Sequence, residues 1–218
     1  YYHREFNPLL QITSIDVGQG ESTLVQFPHG KTMLIDGGGF YKSSFDIGEK
    51  VVSPVLWKKK IKTLDFVVLT HPHPDHLNGL LAILKNFAVG EVWTNGEFVP
   101  GESFATFQNI IKDRKIKLLT ITSHKPEEII SGVKIEVLHP SPAPWHDITS
   151  SYHARINNHS LVLRLTLRDV SILLTGDIGV EAEKEILEKF PNIKSTILKI
   201  PHHMSPKALC LSSYVPKP

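Results

Sequence analysis

The sequence predicts an α/β fold, and three observations predict it. Apolar runs of strand length alternate with stretches whose apolar residues recur every three to four positions. Several of those runs end abruptly in Asp or His, the first polar side chains beyond a buried strand. The chain has 218 residues, 41% of them hydrophobic, enough to bury one sizeable core.

The elements follow in order. Strands are expected over 9–15, 22–27 and 32–35, the last running into the glycines 37–39. A helix around 45–57, interrupted near Pro54, comes next. Strand 64–69 and helix 77–87 follow, then strand 91–93, helix 102–114, strand 116–121 and strand 133–138. Strands 161–167 and 170–174 read as a hairpin, 180–190 as a helix and 195–200 as the last strand. Between His139 and Asn158 no helical or strand period is visible, and a loop of that length suggests a functional border. Trp145, Tyr152, His153 and Arg155 would there offer stacking and phosphate contact to an unpaired nucleotide.

His71-Pro-His73-Pro-Asp75-His76 packs three imidazoles and a carboxylate into six residues after the run 64–70. Residues two apart in an extended segment point to the same side, so His71 and His73 can grip one ion, stiffened by Pro72 and Pro74. Leu77, Leu80, Leu81, Leu84 and Phe87 then switch to helical spacing, which puts Asp75 and His76 at a strand-to-helix turn with positive helix-end potential. Imidazole and carboxylate suit Zn, Mn or Fe. Asp177, in Thr175-Gly-Asp177, stands beyond a second buried strand, where an Asp can bridge two cations roughly 3.5 to 4 Å apart. His159 is expected at the start of the opposing hairpin strand, beside Asp177. Pro201-His202-His203 follows the last strand, one imidazole binding metal and the other orienting a partner, with either assignment open. Asp36 ends its own buried strand and reads as an outer carboxylate bonded to a ligand. His29, His124 and His139 read as structural.

Composition excludes several classes. No segment reaches the roughly 18 to 20 apolar residues of a membrane span. A net charge of +2 does not announce a nucleic-acid binder, and the clusters Lys58, Lys59, Lys60, Lys62 and Lys112, Arg114, Lys115, Lys117 read first as solvated helix ends. The lone Cys210 excludes an intrachain disulfide. Asn158-His-Ser160 fits a glycosylation sequon with nothing else to support it. No glycine-rich loop of NTPase type is present, so no nucleotide cofactor is expected. The start at Tyr1, without a signal segment, reads as a piece of a longer protein.

These residues in this order (an Asp after an early strand, His-x-His-x-Asp-His, a later His, Thr-Gly-Asp, a final His) resemble the metallo-β-lactamase superfamily. The resemblance implies a four-layer αββα sandwich, a single domain over 1–218, and two divalent ions, Zn or Mn, at one edge of the sheets. It implies His71, His73 and His159 on the first ion, Asp75, His76 and His202 or His203 on the second, and Asp177 as the bridge. Asp75, Asp177, His202 and His203 would carry the chemistry, with Asp36 and Asp16 in the outer shell.

Asp16-Val-Gly-Gln-Gly-Glu-Ser22, Asn157-Asn-His-Ser-Leu-Val-Leu163, Leu173-Leu-Thr-Gly-Asp177 and Leu198-Lys-Ile-Pro-His-His-Met-Ser205 look more narrowly like the C-terminal hydrolase domain of the ComEC family of bacterial DNA-uptake channels. That resemblance implies a phosphodiesterase that degrades the DNA strand left outside during uptake, with single-stranded DNA as substrate. It also implies attachment to the membrane-channel portion of the same polypeptide, an extracytoplasmic position at the inner membrane, and a final C-terminal segment beyond Pro218. Two other readings are a small-molecule metallohydrolase acting on a phosphorylcholine-type ester or a lactone, and a non-catalytic DNA-binding or gating domain with a partial metal site.

Overall fold

The computed structural model describes residues 6–142, 151–191 and 193–200. The chain divides into two compact units with the boundary between Thr120 and Ile121. The first carries a six-stranded sheet in chain order: β1 (Gln11–Ser14), β2 (Thr23–Gln26), β3 (Thr32–Ile35), β4 (Thr63–Leu69), β5 (Ala88–Thr94) and β6 (Lys117–Thr120). β1 to β3 pair antiparallel, and β3 to β6 pair parallel. Parallel neighbours need crossovers, which these segments supply: a π-helical turn (Gly48–Val52) leading into α1 (Ser53–Lys58), then α2 (Pro74–Asn86) and α3 (Glu102–Asp113). β4 reads as a nearly unbroken apolar run because Phe66, Val67, Val68 and Leu69 are all buried, leaving neither face to water. Leu34, Val67 and Leu69 pack with Leu77, Leu80, Leu84 and Phe107 in the core of this unit.

The expected interruption near Pro54 is not where the helix departs from regular geometry. The irregular turn lies earlier, at 48–52, where the Ser53 N–H and hydroxyl both reach back to the Gly48 carbonyl, the latter at 2.7 Å. Pro54 falls at the start of the α-helical part, where its missing N–H is an orphan in any case. The helix expected from Leu77 likewise begins three residues earlier, at Pro74.

The second unit carries the sheet β11-β10-β9-β8-β7, built from β7 (Glu128–Ile130), β8 (Val133–His139), β9 (Val162–Leu167), β10 (Val170–Leu174) and β11 (Ile197–Lys199). β7 to β10 pair antiparallel and β10 with β11 parallel. The hairpin expected over 161–174 forms, and across β8 and β9 the directly opposed Glu136 and Arg164 make a bidentate pair at 2.7 and 2.8 Å. α5 (Val180–Lys189) buries Ala182 and Ile186 against Leu138, Val162 and Leu173. The stretch 139–158 is not wholly without period, because it ends in α4 (Tyr152–Asn158). That helix was hidden because it is short and buries little apolar side chain beyond Ile156; the Ser151 hydroxyl caps it by accepting the Ala154 N–H. Trp145 lies outside the described residues. Among the described residues, no helix is long and apolar enough to cross a membrane.

Gly79 lets α2 lie directly on the glycine loop. A Cβ there would stand 1.9 Å from the Gly37 carbonyl oxygen, and backbone cannot yield that distance. Gly79→Ala is expected to destabilise the chain by at least about 3 kcal/mol, read as a shifted urea midpoint.

His139 is buried, and burial of its ring lowers its pKa from 6.5 to about 4, only partly offset by the bond from Nε2 to the Asn158 carbonyl at 2.7 Å. The folded state thus refuses a proton that the unfolded state accepts, so stability present above pH 6.5 is lost as pH falls toward 4. The stability difference between the native chain and His139→Gln should shrink by up to about 1.4 kcal/mol per pH unit across that window; parallel curves would show that His139 does not carry the dependence.

Candidate metal centre

The His-rich run is shaped by its prolines. A residue preceding proline is pushed out of the helical region, which holds His71 and His73 extended; Pro74 then occupies the first helical turn with its fixed φ already suitable. His73 is the N-cap of α2 at φ −70°, ψ 148°. Asp75 and His76 therefore lie within the first turn of the helix, and His76 points into the protein interior, fully buried. The rings of His71 and His73 are 4.9 Å apart, and those of His71 and His76 are 4.1 Å apart. The two imidazoles spaced two residues apart are thus ring neighbours.

Beneath these rings lies Asp36, fully buried at the end of β3 in the left-handed region (φ +57°), which Asp tolerates better than most residues. Its backbone N–H is held by the Val68 carbonyl at 2.9 Å. Its carboxylate receives the Thr70 N–H on Oδ1 at 2.8 Å, and the Thr70 hydroxyl on Oδ2 at 2.7 Å. A carboxylate can only accept, so the 2.7 Å contact from His76 Nδ1 to Oδ2 is an N–H donation. The Thr70 hydroxyl has spent its one proton on Asp36. Its oxygen therefore accepts from His71 Nδ1, 3.1 Å away. In their neutral form both imidazoles thereby carry the proton on Nδ1 and the lone pair on Nε2, the arrangement of a metal-ligating histidine braced by an outer carboxylate. The expected outer role of Asp36 acquires a mechanism here. Neutral imidazole nitrogens with a carboxylate at hand fit a first-row divalent ion.

Sequence reasoning passed over Glu21. Its carboxylate is buried, and the ligand atoms of Glu21, Asp36 and His76 all lie within 4.8 Å of one another. Its backbone ties the same segments together: the N–H reaches the Asp75 carbonyl at 3.3 Å, and the carbonyl accepts the Gly38 N–H at 2.7 Å. The signal was present in Asp16-Val-Gly-Gln-Gly-Glu-Ser22, where a carboxylate stands two residues ahead of a largely buried strand. Gly20 is required because a Cβ would stand 1.7 Å from the Asp75 carbonyl oxygen. Asp16, by contrast, is exposed and its Oδ1 accepts the Gly18 N–H at 3.1 Å. Among the described residues it bonds to no candidate ligand, so the geometry offers nothing for its expected outer-shell role.

In the second unit Asp177 is buried just beyond β10, following Gly176 at φ +54°. The turn is held by the residues around His159. Ser160 Oγ accepts the Asp177 N–H at 3.2 Å, and Asn158 Oδ1 accepts the Gly179 N–H at 2.7 Å. His159 is the half-buried C-cap of α4, not the first residue of a strand as expected, with its ring 6.5 Å from that of His139. It stands between two side chains that both grip the Asp177 turn. Asn158 also donates to Glu181 at 3.2 Å and is buried, which rules out the sequon as a glycan acceptor in the folded chain. His202 and His203 lie outside the described residues.

The metallo-beta-lactamase superfamily model matches residues 15–209. The chain belongs to the metallo-β-lactamase superfamily. Membership implies a metal-dependent hydrolase in general terms. Among curated proteins the chain is 34% identical over 209 residues to ComE operon protein 3 of Bacillus subtilis (strain 168), covering 89% of this chain and 25% of that protein. It is 27% identical over 195 residues to competence protein ComA of Neisseria gonorrhoeae, covering 89% and 24%. The chain thus spans only a quarter of the length of each. A solved mutant metallo-β-lactamase of Cronobacter sakazakii aligns with TM-score 0.53 at 11% identity, over 90% of this chain and 79% of that one, and shares its fold. The superfamily fold expected from the motif order is therefore the fold of this chain.

Asp36→Asn tests the relay. With the Thr70 N–H still demanding an acceptor, the new amide would turn its NH2 toward His76 Nδ1 and disfavour the Nδ1–H form. Calorimetric titration with Mn or Zn is expected to show a 10- to 100-fold loss of affinity, roughly the cost of losing an outer-shell partner. Unchanged affinity would show that Asp36 does not set the donor nitrogens.

Proposed function

We propose that the chain is a dinuclear metal-dependent phosphodiesterase acting on single-stranded DNA, the extracytoplasmic domain of an inner-membrane DNA-uptake protein that degrades the strand left outside. The observation that carries the reading is the Asp36–Thr70 relay, which presents the Nε2 atoms of His71 and His76 as donors in a buried place. Superfamily membership, and similarity to a relative named as a competence protein, support the substrate and setting.

In this proposal His71, His73 and His159 would hold one ion, Asp75, His76 and either His202 or His203 would hold the other, and Asp177 would be shared by both. Divalent ions so bound lower the pKa of water and neutralise charge developing on a phosphoryl group. The work of the chain's own residues is to hold lone pairs in place. Asp36 keeps the protons of His71 and His76 on Nδ1, while Ser160 and Asn158 keep the Asp177 turn from collapsing when the carboxylate is engaged. No side-chain nucleophile is required.

After chelation, single-stranded DNA hydrolysis should return on adding Mn or Zn and fall by more than about 100-fold in Asp177→Ala and in His71→Ala, beyond the loss expected for an outer-shell change. Cleavage that survives both substitutions, or a folded chain inactive with every metal, would overturn the phosphodiesterase reading.

A further inference from the structure

The two basic clusters, separate in sequence, meet at one end of the first unit. Three helices finish there: α1 at Lys58, α2 at Asn86 and α3 at Asp113. Trp57 lies on the Phe87 ring with centroids 6.0 Å apart and planes 21° apart. The Ala88 N–H reaches the Lys62 carbonyl at 3.3 Å, and Arg114 Nη1 reaches the Lys85 and Phe87 carbonyls, both at 2.9 Å. Segments 57–62, 84–88 and 112–117 are thereby bound into one surface, carrying nine Lys and Arg against the single carboxylate of Asp113.

Cations gather at helix C-termini for dipole reasons, and Arg114 serves that purpose by closing the last carbonyls of α2. Lys117 pairs with Glu91 at 3.4 Å. The other seven are lysines that make no ion pair among the described residues. Such a concentration of uncompensated charge costs self-repulsion unless an anion relieves it. Trp57 supplies a second, independent feature. One indole face is fixed on the buried Phe87, yet 55% of the residue is exposed. A flat aromatic face held rigidly among lysines matches a platform for an unpaired base with phosphates on the flanking cations.

We infer that this end of the first unit is a docking surface for single-stranded nucleic acid, separate from the metal centre. α2 has His76 in its first turn and Lys85 in its last, nine residues on, so the helix sets the two places roughly 14 Å apart along its axis. The surface would hold a strand while another stretch of it reaches the metal centre. The inference rests on the DNA reading of that centre for the identity of the strand. An anionic bilayer is the less suitable partner, because a lone ring lying flat on Phe87 has little to insert.

The test is fluorescence anisotropy of a labelled oligothymidine of roughly 15 nucleotides with the 218-residue chain in chelator, across a salt series. The triple reversal Lys58→Glu, Lys60→Glu, Lys62→Glu should weaken binding at least about tenfold and make the salt slope less negative by about 2, since each phosphate contact contributes about 0.7. Trp57→Ala should weaken binding about tenfold, the scale of one lost base stack. Metal-dependent hydrolysis of a small chromogenic diester should be unchanged in all these variants. No binding by the native chain, equal binding by the triple reversal, or Trp57-dependent binding to phosphatidylglycerol vesicles in preference to the oligonucleotide would each overturn the docking surface. Binding that follows these expectations in a chain without metal-dependent cleavage would instead count against the phosphodiesterase alone.

Discussion

A single buried carboxylate organises the metal centre. Removing Asp36 from water is costly unless its oxygens are bonded, and three donors, the Thr70 N–H, the Thr70 hydroxyl and His76 Nδ1, meet that cost. The same bonds decide where the protons sit on two imidazoles. β3 must end where it does so that Asp36 reaches Thr70 at the end of β4, and α2 must start at Pro74 so that His76 in its first turn reaches back. Structural satisfaction and chemical competence are here one set of hydrogen bonds, so a substitution at Asp36 disturbs both.

Close backbone packing holds that set in register. Gly79 meets the Gly37 carbonyl, and Gly20 meets the Asp75 carbonyl, at distances that exclude any side chain. Gly37 N–H to the His76 carbonyl at 2.8 Å and Gly79 N–H to the Gly38 carbonyl at 2.9 Å complete the seam between loop and helix. α2 is fixed at its other end by the Arg114 guanidinium. A helix pinned at both ends carries donor atoms on its first turn and a charged surface at its last, and this makes it the ruler of the first unit.

Much of this was legible in the sequence. Period-2 and period-3.6 patterns placed β3 and β10 to the residue and most other elements within a few positions, because their burial is strong and regular. The proline-spaced histidines declared their geometry, since proline restricts its predecessor whatever the tertiary context. Long-range polar pairing was not legible. Ser160 and Asn158 acquire their roles only from segments that folding brings to them, and no local pattern marks those bonds. β7 and α4 are too short for a period to emerge, and a surface assembled from three helix ends has no linear signature.

The relay is tested most directly by nitrogen-proton correlation NMR of the metal-free chain with the resonances of His71 and His76 assigned. The hydrogen bonds of Asp36 and Thr70 predict that both rings carry the proton on Nδ1, with Nε2 as the unprotonated, pyridine-type nitrogen. A proton on Nε2 of either ring would contradict it, and the buried histidines would then lack the lone pairs on which the metal centre depends.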